Sequence, residues 1–295
     1  MSKYDTYDLF ESLDEYLTRP KLLTRPESEH FYPSEASVVT YDEHGDQVIH
    51  GKCMRAAYFR LANGFKSAPF EPYSEYIFML GKIVENQLIN YWKEMGIWYD
   101  NNVKFYDKEN NISGELDVIL VEPGTGQMYI GEVKTFYGYM AEKEIFGSKT
   151  DKPFPKMNNL LQTLVYLNHF KDTFPYARII YFARDSGKRR TFKIELEQEG
   201  NILYPKVEGE IIRSFSIQDI LARYKELEHY LKTNTIPKND FELYYDDAKI
   251  EDFYQKGKVA KTKYQKYKTG KLHSNEKIGD WNCRYCNFSQ ICWDK

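Results

Sequence analysis

The sequence predicts a mixed α/β fold, a central sheet flanked by helices. Three consecutive segments rich in strand formers, "NVKFYD", "NISGELDVILVE" and "GQMYIGEVKTF", run between residues 102 and 136. Helical spacing of apolar residues flanks them on both sides. Across 295 residues, 42% hydrophobic and 16% aromatic content supplies enough apolar area for a packed core.

Residues 6 to 17 read as a short helix, and a stretch with Pro, Ser and Glu up to about residue 36 reads as connection. A helix is expected from Cys53 to Leu61. A longer one covers 74 to 96, with Ser74 as N-cap and Gly96 as stop. The three strand segments follow, with "EPGTGQ" as the turn between the last two. A helix over 156 to 170, the strand "ARIIYFAR", the turn "DSGK", the strand "RTFKIEL" and a helix over 217 to 233 continue the pattern. On this reading the chain divides into an N-terminal extension (1–50), a core (51–255) and a basic, cysteine-bearing segment (256–295).

No stretch approaches the roughly 20 apolar residues of a membrane span. The first residues also lack the apolar run and cleavage site of a signal peptide. A cytoplasmic protein with no membrane partner is expected. In that compartment thiols stay reduced, so four cysteines suggest metal binding or catalysis in preference to disulfides. The net charge of −3 excludes a generally basic nucleic-acid binder, so any such contact has to be local.

Carboxylates interrupt two otherwise apolar strands. Alternation puts Asp117 on the side of Ile119 and Val121, while Glu132 and Lys134 share a side with Ile130 and Met128. A turn centred between Gly124 and Thr125 pairs residues whose numbers sum to 249, which sets Asp117 opposite Glu132. Like charges in a direct cross-strand pair are destabilising unless compensated, and a divalent cation with oxygen ligands is the simplest compensation. Lys134 then adds an ammonium suited to stabilising phosphate charge or orienting a water. The alternative is a solvated strand face.

Glu85 follows Gly81 by one helical turn, where a glycine permits close approach of a neighbouring element. Gln162 and Tyr166 are likewise one turn apart and project together.

Cys283, Cys286 and Cys292 form C-x2-C-x5-C, and the fourth cysteine is Cys53. Such spacing aims several sulfurs at one point from a short loop, which points to a metal or a cluster. A four-thiolate site would join segments 230 residues apart in sequence (53 to 283).

Taken in order, Cys53, "GKIVE" (81–85), "GELD" (114–117), "EVK" (132–134), "QTLVY" (162–166) and the terminal cysteines form a series. It resembles the RecB-like nucleases of the PD-(D/E)xK superfamily, and more narrowly the CRISPR-associated iron-sulfur exonuclease family with its AddB-type four-cysteine cluster. The resemblance spans about residue 51 to 295. It implies a restriction-endonuclease-like sheet and hydrolysis of DNA, with Mg2+ or Mn2+ held by Glu85, Asp117, Glu132 and the Val133 carbonyl. Lys134 would assist hydrolysis, and Gln162 with Tyr166 would place DNA or orient the lysine. Glu85 stands where the family usually has histidine, an acceptable hard oxygen donor. Cys53, Cys283, Cys286 and Cys292 match the ligands of a 4Fe-4S cluster, with a four-cysteine zinc site as competitor.

Residues 256 to 271 carry seven lysines and no acid. Lys263, Tyr264, Lys266 and Tyr267 could follow phosphates and stack on bases, and Lys188, Arg189 and Arg190 form a second candidate patch. A solvated linker is the plainer account of the first segment. With the family's exonuclease habit, these features favour single-stranded DNA as partner. CRISPR adaptation and stand-alone recombination, replication or repair are the settings implied, with those proteins as partners. The competing class is a non-catalytic DNA-binding or assembly protein that keeps the fold.

Overall fold

The structure, a computed structural model, describes residues 9–18, 30–62, 64, 65, 67, 68, 71–273 and 277–293. The first helix is α1 (Leu9–Thr18); residues 6–8 of the expected helix lie outside the described residues. A hairpin of β1 (Ser37–Tyr41) and β2 (Gln47–Gly51) precedes helix α2 (Met54–Leu61) and helix α3 (Pro72–Glu94).

Helix α3 begins two residues before the expected start. Its N-cap is Glu71, not Ser74, because Pro72 in the first turn presets the helical φ and needs no N–H partner. The helix ends just before Gly96, which takes a left-handed φ of 71°.

The next elements are strands β3 (Trp98–Asp107), β4 (Ile112–Val121) and β5 (Met128–Phe136), then helices α4 (Tyr139–Phe146) and α5 (Met157–His169). Strands β6 (Ala177–Ala183), β7 (Arg189–Glu199), β8 (Ile202–Val207) and β9 (Glu210–Ile211) lead to helix α6 (Ile217–Lys232). The seven strands β3 to β9 lie side by side in chain order. Only the β5–β6 pair is parallel. Parallel neighbours need a long crossover, which α4 and α5 supply.

The result is a mixed α/β fold with a large mixed sheet flanked by helices. Helices α2, α5 and α6 bury Tyr58, Leu160, Leu164 and Ile220 together with Ile130, Ile179 and Phe192 of the sheet. Helix α3 contributes Ile89 to a second cluster with Val118, Leu120 and Val133. No helix of the described residues is long and apolar enough to cross a membrane.

The expected division at residue 50 does not hold as a packing boundary. Phe31 bridges to Ile112 beside β4, Val38 is fully buried, and Tyr224 of α6 donates its hydroxyl to the Tyr32 carbonyl at 2.8 Å. Phe31, Ala36 and Val38 therefore belong to the same core, and the 50/51 division also cuts through β2. The division at 255/256 likewise separates helix α7 (Asp247–Gln255) from its partner α8 (Lys261–Lys268), although both pack around Ile250 and Val259. Two short helices follow, α9 (Trp281–Arg284) and α10 (Ser289–Trp293).

Candidate active site and cysteine centre

Strand pairing sets the geometry of the carboxylates. The β4–β5 register joins Val118 to Gly131 and Ile119 to Ile130. The ladder ends there; those pairs sum to 249, as the turn predicts, and the same register continued one step would set Asp117 against Glu132. The Val133 N–H donates to Asp117 Oδ2 at 2.8 Å.

The Glu132 side chain is completely buried, and its Oε2 has no hydrogen-bond partner among the described residues. Lys134 Nζ stands 2.5 Å from Glu132 Oε1, with its side chain about one-quarter exposed. One ammonium thus faces two carboxylates, and the site keeps uncompensated negative charge.

Electrostatics report that imbalance. Burial, and then the Glu132 charge, push the Asp117 carboxyl well above the usual carboxylate range, with Glu85 acting in the same direction. Burial by itself would lower the Lys134 ammonium, but Glu132 and Asp117 outweigh it and hold the amine protonated.

Glu85 reaches the site from α3. Its side chain is mostly covered and lies 2.5 Å from Lys82 Nζ. One turn earlier, a Cβ on Gly81 would meet Thr135 Oγ1 at 3.3 Å, so the glycine lets α3 lie close against β5. From α5, Gln162 Nε2 donates to the Tyr166 hydroxyl at 2.9 Å. Tyr166 is buried, and burial followed by the Glu132 charge raises its phenol strongly.

The expected set of Glu85, Asp117, Glu132, Lys134, Gln162 and Tyr166 is therefore brought together from four elements. As the side chains stand, no three Cys, His, Asp or Glu residues among the described residues are grouped tightly enough to enclose an ion. Mg2+ takes one or two carboxylates and keeps several waters. The Asp117–Glu132 pair with its orphaned buried oxygen fits that demand by donor type.

The cysteines meet where α2, α9 and α10 come together. Gly51 has a φ of 92° and a Cβ there would lie 2.1 Å from the Ala36 carbonyl oxygen, so only glycine lets the hairpin deliver Cys53 to its place. Cys53 caps α2, where the Met54 N–H donates to Asp240. Cys283 lies in α9, Cys286 just beyond it, and Cys292 in α10.

All four are free thiols, and all four line one small cavity of about 20 Å3 walled by Phe59, Phe241, Phe288 and Trp293. Burial raises the Cys53 thiol; burial, then Cys53 itself, push Cys283 up to about 12. Arg55 points a guanidinium nitrogen at Cys292 Sγ, 3.7 Å away. Sequence reasoning passed over Arg55, whose only signal is a cation two residues after Cys53. The donor set fits a four-thiolate centre by type, with a positive charge beside it.

The candidate DNA contacts are placed differently from expectation. Residues 261–268 form a helix packed on α7, so this part of the basic segment is not a bare linker. The Tyr264 ring stacks on Tyr254 at 3.7 Å and 2°, and its hydroxyl donates to Glu251. Tyr267 donates to Asp247, and Lys256 and Lys258 pair with Asp46. The structure thus engages the half-buried tyrosines expected to stack on bases in contacts with α7. Lys263 and Lys266 lie on the same helix α8. Lys188 pairs with Glu142, Arg190 lies over the Phe192 ring, and Arg189 is exposed.

No family model matches the sequence, and no curated protein matches it. One solved structure to which the chain is similar is described as "Crystal structure of SSO0001"; it aligns over 97% of this chain and 97% of its own, at 16% identity and a TM-score of 0.44.

Proposed function

We propose that the chain is a divalent-metal-dependent deoxyribonuclease of the RecB-like kind, an exonuclease on single-stranded DNA built on a restriction-endonuclease-like sheet. The single observation that carries this reading is the closeness of Asp117 and Glu132 on adjacent strands, with a buried Glu132 oxygen left without a partner among the described residues and Lys134 beside it. A stabilising structure has no use for that arrangement unless something else enters the site.

Asp117 and Glu132 would hold Mg2+ or Mn2+, with Glu85 and the Val133 carbonyl completing the protein's share. The bound ion would supply positive charge to the phosphate and a more acidic water. Lys134, kept protonated by its acidic neighbours, presents its ammonium to a phosphate oxygen or to the attacking water. Gln162 and Tyr166 hold each other by a hydrogen bond, and Tyr166 lies within the field of Glu132 and Asp117.

Cys53, Cys283, Cys286 and Cys292 would hold a 4Fe-4S cluster that ties the two ends of the described chain together. Iron fits the resemblance, and zinc on the same thiols would leave the staple intact. The setting is phage or prokaryotic DNA processing and repair, or CRISPR spacer acquisition.

The test is Mn2+-dependent digestion of end-labelled single-stranded DNA after anaerobic purification, with iron, sulfide and zinc quantified on the same sample. Asp117→Ala and Lys134→Ala should each lose digestion by about 100-fold or more while DNA binding persists in the lysine variant. Undiminished digestion in Asp117→Ala would overturn the reading.

A further inference from the structure

Tyr285 is the most exposed large apolar side chain among the described residues, at 82%, and Trp281 one turn before it is 65% exposed. Leaving two large aromatics in water forfeits the burial that such side chains normally gain. Both border a cavity of about 200 Å3 that is also lined by Lys52, Asn158, Asn282 and Cys286. That volume lies below the roughly 300–1,000 Å3 of a drug-sized pocket, and it suits one flat group.

The lining carries one cation and no carboxylate. Asn282, which also lines the cysteine cavity, has its Oδ1 buried with no hydrogen-bond partner among the described residues. A larger cavity of about 660 Å3 near α6 and α7 mixes cations with carboxylates. Its Asp42, Asp240 and Asp280 are engaged by Lys258, Arg223 and Tyr245. Those groups hold the protein together, whereas the smaller cavity presents aromatic faces, amides and a lysine.

Helix α5 joins this cavity to the carboxylate site. Asn158, Gln162 and Tyr166 recur every four residues and share a face. Along that face exposure falls from exposed Asn158, through half-buried Gln162, to buried Tyr166. At about 1.5 Å per residue, Asn158 lies roughly 12 Å along the axis from Tyr166. A strand of a few nucleotides spans that distance.

We infer that this cavity holds one base of a single strand that runs along α5 from the carboxylate site, stacked on Trp281 and Tyr285. Lys52 meets the backbone phosphate, and the amides of Asn158 and Asn282 meet the base edge. Stacking of this kind tolerates any base, and the attraction is screened by salt. The direction of the strand rests on the nuclease reading; the base pocket itself does not.

The experiment measures fluorescence anisotropy of labelled short oligothymidylate and oligouridylate in chelator, where no digestion occurs. Trp281→Ala and Tyr285→Ala should each weaken binding by about tenfold, Trp281→Phe should restore most of it, and Lys52→Glu should weaken it most at low salt. Trp281 dependence with either oligonucleotide supports the pocket. Iron content and thermal unfolding of each variant, matched to wild type, show that the neighbouring cysteine centre is intact.

Should the alanine variants fail to fold, photocrosslinking of bromodeoxyuridine DNA to the wild-type chain serves instead. A crosslink on Trp281 or Tyr285 supports the pocket, and crosslinks confined elsewhere overturn it. Unchanged affinity in both alanine variants also overturns it. If wild type binds through Trp281 yet never digests DNA, the nuclease reading fails while the pocket stands.

Discussion

The Val133 backbone N–H donates to Asp117 Oδ2 at 2.8 Å, which ties the acidic residue of β4 to the strand that carries Glu132 and Lys134. The bond fixes one carboxylate oxygen and holds Asp117 against the strand that bears the second acid. Such an arrangement is unfavourable for an empty site, and the predictions below follow from that cost.

An acid whose folded pKa is raised binds its proton more tightly folded than unfolded. Asp117 therefore contributes stability below its ordinary value of 3.8, and the contribution is lost as pH rises through the raised value. In chelator, thermal stability should fall from about pH 4 towards neutrality, and Asp117→Asn should flatten that fall. At pH 7 the Asn chain should melt at least about 2 °C higher than wild type while digestion is lost. An Asn variant less stable than wild type at neutral pH would contradict the electrostatic argument.

Lys134 is the cation that faces buried Glu132. Lys134→Ala leaves that carboxylate alone in the interior, and urea unfolding in chelator should show a loss of about 3 kcal/mol. Saturating Mg2+ should recover part of the loss. A change under about 1 kcal/mol would mean that the ammonium is not what makes the buried acid tolerable.

Glu85 acts on Asp117 and Lys134 through space from α3. Glu85→Gln keeps the side-chain volume and removes the charge, so Mn2+ affinity measured by paramagnetic resonance should drop by roughly 10- to 100-fold. Equal affinity in both chains would remove Glu85 from the ligand set.

The four thiols converge on one cavity. Cys53→Ser and Cys283→Ser should each empty the centre of metal and lower the melting temperature by on the order of 10 °C, because both ends of the described chain are then released. Loss from one variant but not the other, by metal analysis and calorimetry together, would show that the thiols do not act as one site.

Tyr264 spends its ring on Tyr254 and its hydroxyl on Glu251. Tyr264→Ala should leave single-stranded DNA affinity within about twofold, in contrast to the tenfold effect expected at Trp281. A large loss of binding on Tyr264 replacement, with the fold intact by circular dichroism, would return α8 to the DNA path.

Much of the sheet was legible in the chain because strand and turn signals are local. The turn at 124–125 set the Asp117–Glu132 register from residue numbers alone, and the observed pairs Val118–Gly131 and Ile119–Ile130 obey it. The helix over 156 to 170 and the pairing of Gln162 with Tyr166 followed from a period of 3.6 residues. The hairpin of residues 37–51 carries no comparable local signal, since its short strands are held by partners far away in sequence, as where Arg223 donates to the Ser37 hydroxyl.

What the sequence by itself determined is therefore the set of chemistry-bearing side chains, their order, and the strand and helix that carry each. Only the tertiary structure decided that Glu132 is wholly buried with one oxygen unpartnered, and that four thiols line one cavity beside Arg55. It alone set the tyrosines of 261–268 against α7 while Trp281 and Tyr285 stand exposed. The physical reason is that burial and convergence depend on contacts between residues as far as 237 positions apart, as for Arg55 and Cys292, for which no local propensity exists.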